Sequence, residues 1–386
     1  MTRLLQVSNE LHADGGGIGS VVSTLAVSLA ERGVHTTVVG MHSSTIFRGF
    51  GLMPYENREG WEIKRLCSGM RWIAPRLRLH LERRLFLRAV QKMHRKHPFD
   101  MVLADDYEGW LPYGGLPGVP TLVRLNGSCL VYDKLLGRKG WPLMHERERR
   151  TLSKANGWIG VSDFFLRETC LALAPVRPAT ASVIPNPVDT KLFSPICDVV
   201  PVPGRIVFHN TLGPRKGLQD LMQALPSIVA QVPNVHLRVC GHCPDQLERQ
   251  EELLRMVPDE HRSRVVFLGR VNADGALQRE LAEAQVACTP SHLESFGLAP
   301  VEAMSMEKVA VCSDCGPTRE IIDDGVTGLL CRAKDPQGLA GRLVTALTLS
   351  RDQAVQMGRL AREKVVRDFD VSVVRERYLK LLSPHL

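Results

Sequence analysis

The chain alternates between short apolar runs and longer stretches with apolar residues on one side. Leu4–Ser8 reads as a strand, Ser20–Arg32 as a helix and Thr36–Gly40 as a second strand. Within that helix Val21, Val22, Leu25, Ala26 and Leu29 share a side, and Gly33 stops it. A strand–helix–strand unit of this kind implies a parallel sheet. Met101–Ala104, Thr121–Arg124 and Gly157–Val161 extend the strand series, with helices between them.

Between Ile184 and Pro203 the texture changes, because Pro185, Pro187, Pro195, Pro201 and Pro203 interrupt any regular element. A second alternation follows. Strands fit Arg205–His209, His236–Cys240, Val265–Leu268, Val286–Thr289 and Val309–Cys312. Helices fit Gly217–Gln231, Asp245–Met256, Asp274–Ala284 and Ala299–Met306. The expectation is an α/β protein of two Rossmann-like domains, 1–190 and 200–370, facing each other across a cleft that binds the ligand. The last amphipathic stretch, Val371–Leu382, is a helix expected to pack back on the first domain within 371–386.

A length of 386 residues suits two cores rather than one. Hydrophobic residues at 44% and charged residues at 23% are the balance of a globular protein. No run of 18 or more apolar residues would cross a membrane, and the opening MTRLLQVSNELHADGGG has no apolar signal core. A cytoplasmic protein is expected.

The net charge of +8 is localised. Arg71, Arg76, Arg78, Arg83, Arg84, Arg88, Lys92, Arg95 and Lys96 face only Glu82 within Arg71–Lys96, and the rest of the chain is neutral. Leu77, Leu79, Leu81, Leu85, Phe86, Leu87, Val90 and Met93 interleave with them. One reading is an amphipathic helix lying on anionic lipid, which would place the protein peripherally on the inner face of the cell membrane. The other is a helix packed on its own sheet with solvated cations. Few aromatics interleave and no nucleic-acid motif appears, so no nucleic-acid partner is expected.

Ten cysteines without a secretion signal imply reduced thiols. Cys240–Cys243 and Cys312–Cys315 have zinc-ligand spacing, yet each pair closes an apolar strand, where cysteine is a common small buried residue. No metal is expected.

Two segments carry candidate chemistry. Gly15–Gly19 joins a strand to a helix and leaves the helix N–H groups open to an anion. It lacks dinucleotide GxGxxG spacing, and no acid closes the next strand. The second segment, Glu294-Ser295-Phe296-Gly297-Leu298-Ala299-Pro300-Val301-Glu302, places one glutamate on a loop and another inside a helix that Gly297 and Pro300 start. Carboxylates there can accept hydrogen bonds from sugar hydroxyls, beside open N–H groups at 296–298.

This segment resembles the E-x7-E signature of glycosyltransferase family 4. Val183–Asp189 resembles that family's "IPNGVD" hinge, and Pro214-Arg215-Lys216-Gly217 its phosphate-binding "KG" turn. Val266–Gly269 resembles its base-side loop, and Gly316–Ile322 with Asp324–Leu330 its closing motifs. They stand in the family's order over about residues 1–335.

The resemblance implies the GT-B fold and a retaining transfer from a nucleotide-diphosphate sugar to a glycan or lipid-linked acceptor, as in cell-surface polysaccharide or lipopolysaccharide synthesis. It assigns Glu302 to the ribose, Glu294 to the donor sugar and Lys216 to the diphosphate. Gly16, Gly17 and Gly19, with the amides of Phe296, Gly297 and Leu298, complete the cradle, and Gly269 and Arg270 meet the base. It also implies metal-independent chemistry, with no cofactor besides the donor. Physically, fixed cations and N–H dipoles can stabilise a departing diphosphate.

Three departures stand out. Thr211 replaces a usual arginine, and Arg215, next to Lys216, could replace that charge. Asn126 replaces a usual histidine, and Glu307 and Val309 replace a glycine and a proline. Asn126 can hydrogen-bond a sugar but cannot titrate near neutral pH. The alternative these leave is a sugar-nucleotide-binding protein without turnover.

Overall fold

The computed structural model describes residues 2–8, 17–43, 50–58, 60–68, 74–243 and 245–383. It divides into two compact units, Met1–Pro187 with Val371–Leu386, and Val188–Asp370. The first unit runs β1 (Thr2–Val7), α1 (Gly17–Ala30), β2 (Val34–Ser43), β3 (Phe50–Arg58), β4 (Trp61–Ser68), α2 (Pro75–Lys96) and β5 (Met101–Asp105). It continues with β6 (Thr121–Leu125), α3 (Cys129–Leu135), α4 (Pro142–Ser153), β7 (Gly157–Gly160), α5 (Asp163–Leu173) and β8 (Thr180–Val183). The strands form one sheet in the order β3-β4-β2-β1-β5-β6-β7-β8, and β3 on β4 is its antiparallel pair.

Both faces of this sheet are covered, which is why β5, β6 and β7 are buried along their whole length. One face packs Leu5, Val7, Val102 and Val123 with Phe86 and Val90 of α2 and Phe165 of α5. The other packs Leu4, Leu103 and Leu122 with Leu25 and Leu29 of α1.

The second unit runs β9 (Arg205–His209), a 3₁₀ turn at Pro214–Lys216, α6 (Leu218–Val229), β10 (His236–Cys240), α7 (Gln246–Leu254), α8 (Asp259–Arg262) and β11 (Val265–Gly269). It continues with α9 (Ala276–Glu283), β12 (Val286–Thr289), α10 (Leu298–Ser305), β13 (Val309–Asp314), α11 (Thr318–Ile321), β14 (Leu329–Arg332), α12 (Pro336–Leu347) and α13 (Arg351–Asp368). Its parallel sheet has the order β11-β10-β9-β12-β13-β14. After it the chain returns to the first unit as α14 (Val371–Leu382). Val374, Tyr378 and Leu382 then bury against the α1 side of the first sheet, and Arg375 reaches Glu31 at 2.6 Å.

The unit boundary differs from the sequence expectation. The proline-rich stretch reads as a linker up to 203, but the second unit already begins at Val188. The Val188 N–H donates to the Phe369 carbonyl at 2.9 Å and Ser305 Oγ donates to the Phe193 carbonyl at 2.6 Å, so the segment is docked rather than free.

The Arg71–Lys96 stretch is also more specific than either reading of it. Arg71 lies outside the described residues, and the helix starts at Pro75. Its inner face is Glu82, Arg83, Phe86 and Val90, so its best apolar residues belong to the protein's own core rather than to lipid. Arg84, Arg88 and Lys92, four residues apart, form an exposed cationic stripe that Arg95 and Lys96 extend. Arg83 is 1% exposed, lies over the Trp110 ring and donates to the Glu108 carbonyl at 3.0 Å; burial pulls its pKa down to about 9.

Candidate functional site

In the second sheet the strand order reverses between β9 and β12, since β10 and β11 lie to one side and β13 and β14 to the other. Ligands of open α/β sheets bind beyond the carboxyl ends of the strands at such a point. The segments leaving β9 and β12 there are Asn210–Gly217 and Pro290–Gly297.

These two segments are clamped together. Gly217 has φ +72°, and a Cβ on it would lie 1.7 Å from the Pro290 carbonyl oxygen. Only glycine allows that approach. The His292 N–H donates to the Arg215 carbonyl at 2.8 Å, and His292 Nε2 pairs with Asp220 Oδ2 at 2.8 Å. The clamp delivers two cations to one acid. Lys216 Nζ donates to Glu294 Oε1 at 2.7 Å, Arg215 Nη1 approaches Glu294 Oε2 at 3.4 Å, and Ser291 Oγ donates to Oε1 at 2.8 Å. Arg215 Nη1 also donates to the Leu293 carbonyl at 2.7 Å, which fixes its direction toward Glu294. Glu294 is 7% exposed. Burial alone would push its carboxyl up, but the Lys216 and Arg215 cations outweigh that and hold it below its ordinary value.

Gly297, at φ +106°, turns the chain into α10, and no side chain caps that helix. Its first N–H groups, those of Leu298 and Ala299, lie at the positive end of the helix dipole. Phe296 is buried edge-on against Phe369, with ring centroids 5.6 Å apart, so its side chain anchors the turn while its backbone lines it. Glu302 lies within α10, its side chain 18% exposed, with Oε2 3.4 Å from Nε2 of His209 at the end of β9. Gly269 closes β11 at φ +67°, with its carbonyl accepting from the Gly241 N–H at 2.8 Å, and the exposed Arg270 follows it. This strand is two places from the switch point, beyond β10.

The structure thus gathers Arg215, Lys216 and Glu294 into direct contact and sets Phe296, Gly297, Leu298 and Glu302 on the turn and helix beside them. Sequence reasoning missed three participants. Ser291, His292 and His209 lie next to quoted motifs, but serine and histidine at strand ends carry no periodic signal.

The remaining candidates lie in the first unit. Gly16 lies outside the described residues; Gly17 and Gly19 open α1, with Gly17 exposed and Gly19 buried. Asn126 is 6% exposed, and its amide donates to Asp105 Oδ1 at 2.6 Å. Its backbone N–H and those of Gly127 and Ser128 converge on the Asp106 carboxylate at 2.9, 3.2 and 2.9 Å. Glu148 accepts from the N–H groups of Cys129 and Leu130 at 2.9 and 2.8 Å. The start of α3 is therefore occupied by the protein's own acids. Burial raises the pKa of both Asp106 and Glu148.

Burial also pushes the Cys240 and Cys315 thiols up to about 12. Among the described residues no group of three or more His, Cys, Asp or Glu could hold a metal ion.

A family model described as Glycosyl transferases group 1 matches residues 202–364, and one described as Glycosyltransferase Family 4 matches residues 15–192. Phosphatidyl-myo-inositol mannosyltransferase of Mycolicibacterium smegmatis is 35% identical over 238 residues, which are 59% of this chain and 57% of the relative. The match thus spans under two thirds of that relative's length. Alpha-maltose-1-phosphate synthase of the same organism is 26% identical over 255 residues, 61% of this chain and 64% of the relative.

Among solved structures, sucrose-phosphate synthase from Thermosynechococcus elongatus superposes with a TM-score of 0.82 at 21% identity, covering 100% of this chain and 99% of that one. Anabaena HepE in complex with UDP and glucose gives 0.77 at 17% identity, with both chains fully covered. Together with the two parallel-sheet units, these likenesses show the GT-B fold.

Proposed function

The chain belongs to the group 1, family 4 glycosyltransferases, and from that premise we propose that it transfers a sugar from a nucleotide-diphosphate sugar, with retention of configuration. The observation that carries this reading is the contact of Lys216 and Arg215 with Glu294 at the uncapped start of α10. A diphosphate brought there would meet two cations and the N-terminal N–H groups of α10, which together can stabilise the leaving group's charge. Glu294 is buried, ionised and already matched to donors, so a sugar hydroxyl can replace one of its present partners at little cost. Arg215 supplies the charge that Thr211 lacks, because its guanidinium points at the same carboxylate. These groups act without a metal.

The acceptor we propose is a glycan or a lipid-linked glycosyl acceptor of the cell surface, for which the lipid substrate in the name of the mannosyltransferase relative is the support. The cationic stripe of α2 would meet an anionic bilayer through charge, its apolar face being already used. On this reading the protein works peripherally on the inner face of the membrane. Asn126 contributes through its hydrogen bond to Asp105, positioning the loop between β6 and α3.

Melting temperatures measured with UDP, GDP, ADP and their common sugar conjugates test the donor site. One nucleotide should raise Tm selectively, and Glu302→Ala should abolish the rise. No shift with any of them would end the transferase reading. A shift without any sugar transfer would leave binding without turnover.

A further inference from the structure

His209 closes β9 at the switch point, and its side chain is 4% exposed. Neither ring nitrogen has a hydrogen-bond partner among the described residues. Buried polar groups are nearly always paired, so an imidazole orphaned on both sides needs a reason. The Glu302 carboxylate stands beside it, with Nε2 3.4 Å from Oε2. That separation exceeds a formed N–H···O bond by about half an ångström.

The Glu302 carboxylate is thus approached from below by a buried imidazole, while its 18% exposed side chain remains accessible from outside. A carboxylate offers about four acceptor positions. If Nε2–H takes one position on Oε2, the side chain loses its freedom to rotate. The remaining positions stay open to ligand hydroxyls, and one carboxylate can accept from two neighbouring ones. The proton must sit on Nε2 for this, and Nδ1 is free to accept. β9 itself gives no other reason for a histidine there, since Ile206, Val207 and Phe208 before it are fully buried and apolar.

We propose that His209 is a positioning residue that selects a ribonucleotide donor, acting through Glu302 on the vicinal hydroxyls of the ribose. The proposal rests on the donor reading above. A second hydroxyl on the sugar is what the aligned carboxylate recognises, so a 2′-deoxyribonucleotide loses the benefit of the alignment. The His209 side chain, 4% exposed, presents almost no surface of its own to a ligand.

The test uses the full chain and two probes, the ribonucleoside diphosphate giving the largest thermal shift and its 2′-deoxy analogue. Dissociation constants are measured by calorimetry for the wild type, His209→Leu, His209→Gln and Glu302→Gln. The wild type should prefer the ribonucleotide by about tenfold or more, the worth of one good hydrogen bond. His209→Leu should reduce the preference to within about threefold, mainly by weakening the ribonucleotide. Glutamine carries an N–H donor at similar reach and should restore most of the preference. Glu302→Gln should lose it as His209→Leu does.

Undiminished preference in His209→Leu would overturn the proposal. So would a variant that melts lower and weakens both nucleotides equally, for that is the behaviour of a packing residue. If the wild type binds neither probe, the donor reading itself falls, a result that no His209 variant could produce.

Discussion

Glu294 is a buried acid whose ionised form depends on two cations and a hydroxyl. Removing one partner of a buried pair costs more than the pair contributes, because the other charge stays behind. Lys216→Ala should therefore destabilise the second unit by about 3 kcal/mol, the low end for such a break, since Arg215 and Ser291 remain. The double variant Lys216→Ala, Glu294→Gln should recover most of that loss while nucleotide binding stays absent, a non-additivity that denaturant titration of the wild type, both single variants and the double would reveal. The pH dependence has a definite sign. A depressed carboxyl pKa contributes stability that is complete above the ordinary carboxylate range and is lost as the pH falls through the lowered value. Relative to Glu294→Gln, the wild type should thus lose stability on acidification to that region and show no difference in slope above pH 6. An unchanged difference between the two proteins at all pH values would mean that Glu294 is not ionised in the fold.

At the scale of elements, the turn between β9 and α6 has two glycines with opposite expectations. Gly217 is in the left-handed region with a carbonyl where its side chain would go, whereas a Cβ on Gly213 would meet nothing within 4 Å. Gly217→Ala should cost about 3 kcal/mol through strain and displacement of the Pro290 segment, and should abolish nucleotide binding. Gly213→Ala should leave both nearly unchanged. Equal Tm values for the two variants would show that the clamp is not rigid.

Much of this architecture was legible in the sequence, for reasons that differ by element. β9, β10 and β12 coincide with their sequence readings because strands covered on both faces are continuous apolar runs bounded by turn residues. The β3–β4 pair was not legible, since an edge hairpin with Pro54 and mixed polar residues has neither a clean alternation nor a tight-turn pair. The site split in the same way. Arg215, Lys216 and Glu294 follow motifs, and the motifs implied the meeting of two segments far apart in the chain. The burial of Asn126 against Asp105 and the orphaned ring of His209 depend on what lies above each strand end, which spacing along one chain does not contain. Glu307 illustrates a third case. It stands where the resemblance implies a glycine and takes φ +59°, a left-handed conformation that favours glycine.

For the whole molecule the distribution of charge is the property that reaches furthest. The excess of +8 comes from the stretch Arg71–Lys96, all but Arg71 of it on α2, and the structure separates the helix cations into two kinds. Arg83 is consumed internally by Trp110 and Glu108, whereas Arg84, Arg88 and Lys92 are exposed along one stripe. A stripe of this kind attracts an anionic surface with about 1 kcal/mol per cation, and the attraction fades over a Debye length of about 10 Å at 0.1 M salt. Changing Arg84, Arg88 and Lys92 together to glutamate removes six of the eight excess charges and alters only exposed side chains, at the loss of the Arg84 cation over the Tyr113 ring 5.7 Å away. Sedimentation with vesicles containing about one third anionic lipid should then fall at least a hundredfold in apparent affinity, from three attractions of that size. Neutral vesicles should bind neither protein, and added salt should weaken the wild type toward the variant. The nucleotide-induced rise in Tm should survive the charge reversal, because the cations of the donor site belong to the other unit and to separate elements. Were the triple variant to bind vesicles as well as the wild type, the stripe would be an ordinary solvated face and the acceptor would have to be sought in solution.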